Sequence, residues 1–181
     1  MANIYQNETE FISMNKIISM INFIKCEYII TKNDFEKEIQ IINNKSKYSI
    51  ENEEINEKIY FIINGEIKTK ILKYKINKEG IYNNIYLIFN KKLRRMKSMF
   101  SNCSSLQDID FSSFDTSNIT DISFLFYGCT SLEKLNLSSF DTSQVTKMNS
   151  MFSECSSLKE LDISSFNTNQ VTNMSNMFYY C

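Results

Sequence analysis

The 181-residue chain contains no histidine, no proline and no tryptophan, and only three glycines. Without histidine it lacks the commonest general base, every nucleophile activated by an imidazole and every histidine-ligated zinc centre. Gly65, Gly80 and Gly128 stand too far apart to form a phosphate-cradling loop. No stretch reaches the roughly eighteen apolar residues that a membrane-spanning helix needs. Residues 14–24 are the most leader-like, but Ser19 and Asn22 interrupt them and Lys25-Cys26-Glu27 is no small-residue cleavage site. They read as the first strand or helix of a folded domain, and the missing signal peptide points to the cytoplasm. The scarcity of Pro and Gly beside abundant Asn, Ile, Lys, Tyr and Phe is what an AT-rich coding sequence produces, and carries no functional meaning.

What the chain does have is a repeat. Residues 96–121, 122–147 and 148–173 are three copies of one pattern, and residues 174–181 begin a fourth. Cys103, Cys129, Cys155 and Cys181 recur every 26 residues, as do Phe114, Phe140 and Phe166. A fixed period of this length predicts a solenoid of stacked supersecondary units. Within a copy, Met148, Met151, Phe152 and Cys155 fall at i, i+3, i+4 and i+7, the spacing of one helix face. Thr120, Thr146 and Thr172 lie two residues before the copies that follow them, where a hydroxyl would cap such a helix. After each cysteine comes Leu106-x-x-Ile109-x-Phe111, then Leu132-x-x-Leu135-x-Leu137 and Leu158-x-x-Leu161-x-Ile163, whose last two apolar positions have strand period. This is a leucine-rich repeat core. Phe114, Phe140 and Phe166 are expected to form an aromatic spine, each ring worth roughly 1.5–3 kcal/mol of burial. The core list is completed by Cys103, Leu106, Cys129, Leu132, Cys155 and Leu158.

These residues carry a resemblance. The run Cys129-Thr130-Ser131-Leu132, then Ser138-Ser139-Phe140-Asp141-Thr142-Ser143, Val145-Thr146 and residues 148–152 resembles the BspA-like leucine-rich repeat family of bacterial and protist surface proteins. The likeness covers residues 96–181. Phe111 and Ile163 replace Leu in the strand, and Ile122 and Phe124 replace the usual Met and small residue, all apolar exchanges. The resemblance implies a binding or adhesive array without catalytic residues, and a cell-surface location as the alternative to the cytoplasm.

Charge divides the chain near the onset of the repeat. Residues 1–95 carry 16 Lys+Arg against 12 Asp+Glu, a balance of +4, while residues 96–181 carry 4 against 9, a balance of −5. An acidic array makes a poor nucleic-acid binder, whose phosphates demand a basic face. The basic run Lys91, Lys92, Arg94 and Arg95 meets either an anionic partner or the acidic repeats themselves.

Ahead of the repeat, residues 1–13 are a polar segment and residues 14–95 read as a small, mainly antiparallel β domain that caps the array. Candidate strands are 23–31, 37–42, 59–63, 66–76 and 81–89, with 43–56 a loop or irregular helix. Asn64-Gly65 is a hairpin signal, because both residues accept the positive φ of a type I′ turn, and Lys78-Glu79-Gly80 is a further turn. The whole therefore reads as an α/β leucine-rich repeat solenoid, with a short strand and a short helix per repeat, behind a β-rich N-terminal domain.

One cysteine per repeat makes a line rather than a tetrahedral cage, so no metal and no cofactor are expected. A reduced ladder of small buried thiols and pairing of neighbours in an oxidising compartment both remain open. Cys26 has no partner by spacing. Carboxylate pairs such as Asp108 with Asp110 and Glu160 with Asp162 lie on an open strand surface, a poor setting for acid–base chemistry. Stacking instead aligns Asp108, Lys134 and Glu160 in one row, Asp110, Asn136 and Asp162 in a second, and Ser112, Ser138 and Ser164 in a third. This mildly acidic, hydroxyl-rich face is the candidate partner-binding surface. The expected function is a non-enzymatic protein–protein interaction module. The alternatives are a surface adhesin and an enzyme whose N-terminal domain is catalytic. Further repeats or self-association at the C-terminal end of the array are additional expectations.

Overall fold

The computed structural model describes residues 22–28, 38–41, 59–63, 66–69, 73–75, 85–89 and 92–181. The expected polar segment 1–13, the loop 43–56 and the turns Asn64-Gly65 and Lys78-Glu79-Gly80 lie outside the described residues, as do Lys91 and most of residues 14–24. Nine strands follow in order: β1 Phe23–Tyr28, β2 Glu38–Gln40, β3 Ile59–Ile63, β4 Glu66–Thr69, β5 Lys73–Lys75, β6 Ile85–Phe89, β7 Leu106–Asp110, β8 Lys134–Asn136 and β9 Glu160–Asp162. No α-helix occurs among the described residues, and no helix there is long and apolar enough to cross a membrane.

A five-stranded sheet runs β4-β3-β6-β1-β7, antiparallel at every pairing. β3 and β4 face each other from Ile63↔Glu66 to Tyr60↔Thr69, the register of a two-residue connection. β2 and β5 form a separate antiparallel pair, and β8 and β9 a parallel one. Strict alternation makes β1 and β6 half-buried strands. Ile24, Cys26 and Tyr28 point inward on β1, and Ile85, Leu87 and Phe89 on β6. In β7 the register passes from Glu27↔Asp108 to Tyr28↔Leu106, which leaves Gln107 as the extra residue of a bulge. That bulge lets Leu106 and Ile109, three apart, both face the core.

The α/β leucine-rich repeat solenoid is not what the chain forms. The strand of the first copy joins the antiparallel N-terminal sheet, and the segment expected to be helical in each copy is a row of tight turns. The reason lies in the backbone. Ser98 and Asn102, Phe124 and Gly128, Ser150 and Glu154, and Asn176 and Tyr180 have φ between 54° and 69°, one left-handed residue in every four. A left-handed residue in each turn cannot belong to a right-handed helix. Two hydrogen-bond sets replace the helical one. The amides of Met99, Ser101 and Cys103 bond three residues back, to the carbonyls of Met96, Ser98 and Phe100 at 3.0–3.1 Å. The amides of Met96, Ser98, Phe100 and Asn102 bond 25 residues ahead, to Asp121, Ser123, Leu125 and Tyr127 at 2.7–3.0 Å. The next two copies repeat the 25-residue set in full and the three-back set at Leu125, Tyr127, Cys129, Ser153 and Cys155, and isolated parallel bridges link Arg95, Asp121, Lys147 and Asn173.

The threonines are not helix caps either. Both the amide and the hydroxyl of Thr120, Thr146 and Thr172 donate to the carbonyl 26 residues earlier, on Arg94, Thr120 and Thr146. The parallel-stacked aromatic column is Phe100, Phe126, Phe152 and Phe178, with centroids 5.5–6.0 Å apart and planes within 14°. In the row expected to form it, Phe140 and Phe166 meet tilted at 6.4 Å, while Phe114 packs on Phe89 of β6 at 4.8 Å and Phe111 stands edge-on to Phe140.

The cysteines form a column of thiol donors. Cys129, Cys155 and Cys181 Sγ donate to the carbonyls of Phe100, Phe126 and Phe152, each 29 residues earlier, at 2.7–3.1 Å. Cys103 has no earlier copy beneath it, and its Sγ donates to Ile41 O at 3.4 Å, an acceptor it shares with Tyr28 Oη at 2.6 Å. Asn22 makes the same kind of substitution. Its Oδ1 accepts the Asp115 amide at 2.7 Å, where Thr116 and Thr142 hydroxyls accept the amides of Asp141 and Asn167 in later copies. The N-terminal segment thus supplies the first copy with what each later copy receives from the one before.

Candidate binding groove

Cys103, Leu106, Phe114, Cys129, Leu132, Phe140 and Cys155 are buried in a core continuous with Ile24, Cys26 and Leu87 of the sheet. Leu158 and Phe166, in the last complete copy, are only half-buried against it. All five cysteines are free thiols. Burial holds Cys26, Cys103 and Cys129 well above the ordinary thiol range and pushes Cys155 up to about 12.

On the outward face, the β1–β7 register sets Lys25 opposite Asp110 and Glu27 opposite Asp108. A groove of about 330 Å³ opens there, running from β1 and β7 to the turn after β8. Of the nine residues expected on the partner-binding face, Asp108, Asp110, Ser112, Asn136 and Ser138 line this groove. Lys134, Glu160, Asp162 and Ser164 lie outside it. Lys134 pairs with Glu160 at 2.7 Å across β8 and β9, and Glu133 with Lys159 at 3.0 Å. The rows persist between the second and third copies, where Lys134↔Glu160 and Asn136↔Asp162 are in register. Between β7 and β8 there is no strand ladder among the described residues, and the groove occupies that interval.

Several of the candidate polar groups also brace the backbone. Asp110, Asn136 and Asp162 each accept the amide two residues on, from Ser112, Ser138 and Ser164, at 2.8–2.9 Å. Such side-chain turns end each strand and start the Ser-Ser-Phe corner. The Ser164 hydroxyl and amide hold the Asp162 carboxyl below its usual range. Asp108 Oδ1 accepts the adjacent Ile109 amide at 2.8 Å. Lys25, at 3.2 Å from Glu27, is the cation of the groove lining. Among the basic run, Lys92 pairs with Asp115 at 2.6 Å, so this cation meets the acidic repeats of its own chain.

Lys25, Glu27 and Ser139 were not among the expected site residues. The first two sit on a strand whose alternation is visible in Phe-Ile-Lys-Cys-Glu-Tyr, so their outward direction is legible. Their pairing with residues 108–110, some 80 positions away, has no local signal. No group of three or more Cys, Asp or Glu able to hold a metal occurs among the described residues.

Residues 94–181, just under half the chain, match a family model described as a Mycoplasma protein of unknown function, DUF285. No curated protein and no solved structure matches the chain. The resemblance to BspA-like leucine-rich repeats is therefore withdrawn. The family that matches is a different one, and the described residues hold no helix and mostly antiparallel strands.

Proposed function

We propose that the chain is a non-enzymatic protein-binding module whose recognition surface is the groove between β1, β7 and the turn after β8, and that it takes an exposed segment of a partner protein bearing lysine or arginine. The observation that carries this reading is the groove itself, in which Glu27, Asp108 and Asp110 stand against the single cation Lys25. Glu27 and Asp108 are cross-strand neighbours of like charge; Lys25 already pairs with Glu27 at 3.2 Å, and a second cation beside Asp108 lowers the repulsion that is left. A flexible ammonium or a guanidinium fork suits two carboxylates, and the hydroxyls of Ser112, Ser138 and Ser139 suit the partner's peptide groups. The acidic balance of residues 96–181 raises the encounter rate with a basic partner. A non-enzymatic role is supported by the absence of histidine and by the engagement of Asp108 and Asp110 with backbone amides.

Selection of displayed random peptides against the protein tests this. Enriched peptides should carry Lys or Arg, lose affinity as salt rises, and bind at least about tenfold more weakly to Asp108→Lys, a loss of about 1.4 kcal/mol. Enrichment of acidic or uncharged peptides, or binding indifferent to Asp108→Lys, would sink the reading.

A further inference from the structure

Strand alternation puts Lys25 and Glu27, two apart on β1, on one face of the sheet. The β1–β7 register sets Asp110 opposite Lys25 and Asp108 opposite Glu27, so four charged residues form a two-by-two array with a single positive corner. Within it the Lys25 ammonium lies 3.2 Å from Glu27 Oε1, and the two side chains are 32% and 36% exposed. Lys25 is the only cation that lines the groove among the described residues. The cations nearest to it in the fold are engaged elsewhere. Lys134, in the row of Asp108, turns to Glu160 at 2.7 Å, and Lys92 holds Asp115 at 2.6 Å.

We propose that Lys25 is a built-in competitor for the partner's cation, and that removing its charge, as acetylation of its amine does, strengthens binding at the groove. The inference rests on the reading of the groove as a site for a basic segment. Lys25 acts there in two opposed senses. In the free protein it is the counter-ion that relieves the repulsion between Glu27 and Asp108, which face each other across the strands with like charge. Toward a partner it occupies Glu27 and sets a charge of the partner's own sign beside the place that the incoming ammonium or guanidinium takes at Asp108. An exposed pair of this kind contributes little and exchanges readily, so it restrains the site without closing it. Acetylation keeps the stem of the side chain and deletes its charge, which leaves all three carboxylates to the partner. A lysine that served stability alone would leave affinity untouched. Lys25 moves stability and affinity in opposite directions.

The probe is the arginine peptide acetyl-Gly-Ser-Arg-Ser-Gly-amide, titrated at low salt into isotopically labelled protein while the amide signals of Lys25, Glu27, Asp108 and Ile109 are followed. Lys25→Gln, which deletes the charge, should bind it at least about threefold more tightly than the parent, a gain that fades as salt rises. Lys25→Arg, which keeps the charge, should bind as the parent does. Without peptide, Lys25→Gln should unfold at a slightly lower denaturant midpoint than the parent, because a counter-ion is gone. The inference is overturned if Lys25→Gln binds no more tightly than the parent, or if Lys25→Arg gains as much as Lys25→Gln. Asp108→Lys tests the groove reading separately, since it should weaken binding whatever residue replaces Lys25. Binding weakened by Asp108→Lys but not improved by Lys25→Gln leaves the groove standing and removes the competitor. A peptide that shifts none of the four amides in the parent or in Lys25→Gln removes both.

Discussion

At the residue scale, the thiols and one carboxylate show how local surroundings set chemistry. A thiol buried in an apolar stack and donating to a carbonyl is held in its neutral form, and the neutral thiol is a poor nucleophile. Alkylation of the native protein at mildly basic pH is therefore expected to modify exposed Cys181 and spare Cys26, Cys103, Cys129 and Cys155 until the chain unfolds, when mass counting finds all five modified. Early modification of Cys129 or Cys155 would contradict their place in the column. Asp115 behaves in the opposite sense. The hydrogen bond from Lys92, then those from the Ser117 hydroxyl and amide, lower its carboxyl to about 2. Its contribution to stability is present above the unfolded carboxylate value of about 3.9 and is lost as pH falls through the folded one. Denaturation followed between pH ~4 and pH ~2 should accordingly show a shallower acid limb for Asp115→Asn than for the parent, reduced further by screening because the pair is partly exposed. Ser98 holds the one buried side-chain oxygen without a partner among the described residues. It is also left-handed, at φ 57°.

At the scale of the element, the same left-handed positions decide what a copy is. Four apolar residues at 0, 3, 4 and 7 satisfy a helix face, and they satisfy equally a row of turns whose inward corners recur every four residues. Hydrophobic period alone does not separate the two. The separating signal is the residue that must take positive φ, and here it is diluted. Asn102 and Gly128 suit that conformation, but Glu154 and Tyr180 hold the equivalent place in later copies. Substitutions at these sites read the backbone directly. A Cβ at Gly128 would lie 2.7 Å from Asn102 Oδ1 at φ +69°, so Gly128→Ala should destabilise by about 1–2 kcal/mol in denaturant unfolding. Ser98→Gly removes both the orphan hydroxyl and the strain, and should stabilise by about 0.5–1 kcal/mol. In a helix both signs reverse, because glycine is the weaker helix former by about 1 kcal/mol.

At the scale of the whole molecule, the phase of the copies and the β-rich character of the N-terminal part were legible because both rest on short-range pattern. The 26-residue recurrence needs only the sequence, and strands such as β1, β3 and β6 announce themselves by runs of Ile, Tyr and Phe. What joins the two parts was not legible. β1 pairs with β7 across some 80 residues, and Asn22 and Ile41 fill the places a preceding copy would fill. The groove is a product of that junction, so only its repeat-borne half, from Asp108 to Ser138, was accessible to sequence reasoning. The expected helices failed for a related reason. Their pattern is local, but the hydrogen bonds that replace them reach 25 residues ahead, and long-range pairing overrides local propensity.

The central claim is that each copy is a turn row bonded to the next copy rather than a helix bonded to itself. Scalar couplings across hydrogen bonds, recorded by NMR on deuterated protein, identify the acceptor carbonyl of each amide directly. The account predicts couplings from the amides of Phe100, Phe126 and Phe152 to the carbonyls of Leu125, Met151 and Met177. Couplings from those amides to the carbonyls of Met96, Ile122 and Met148, four residues back, would be the mark of an α-helix and would contradict it.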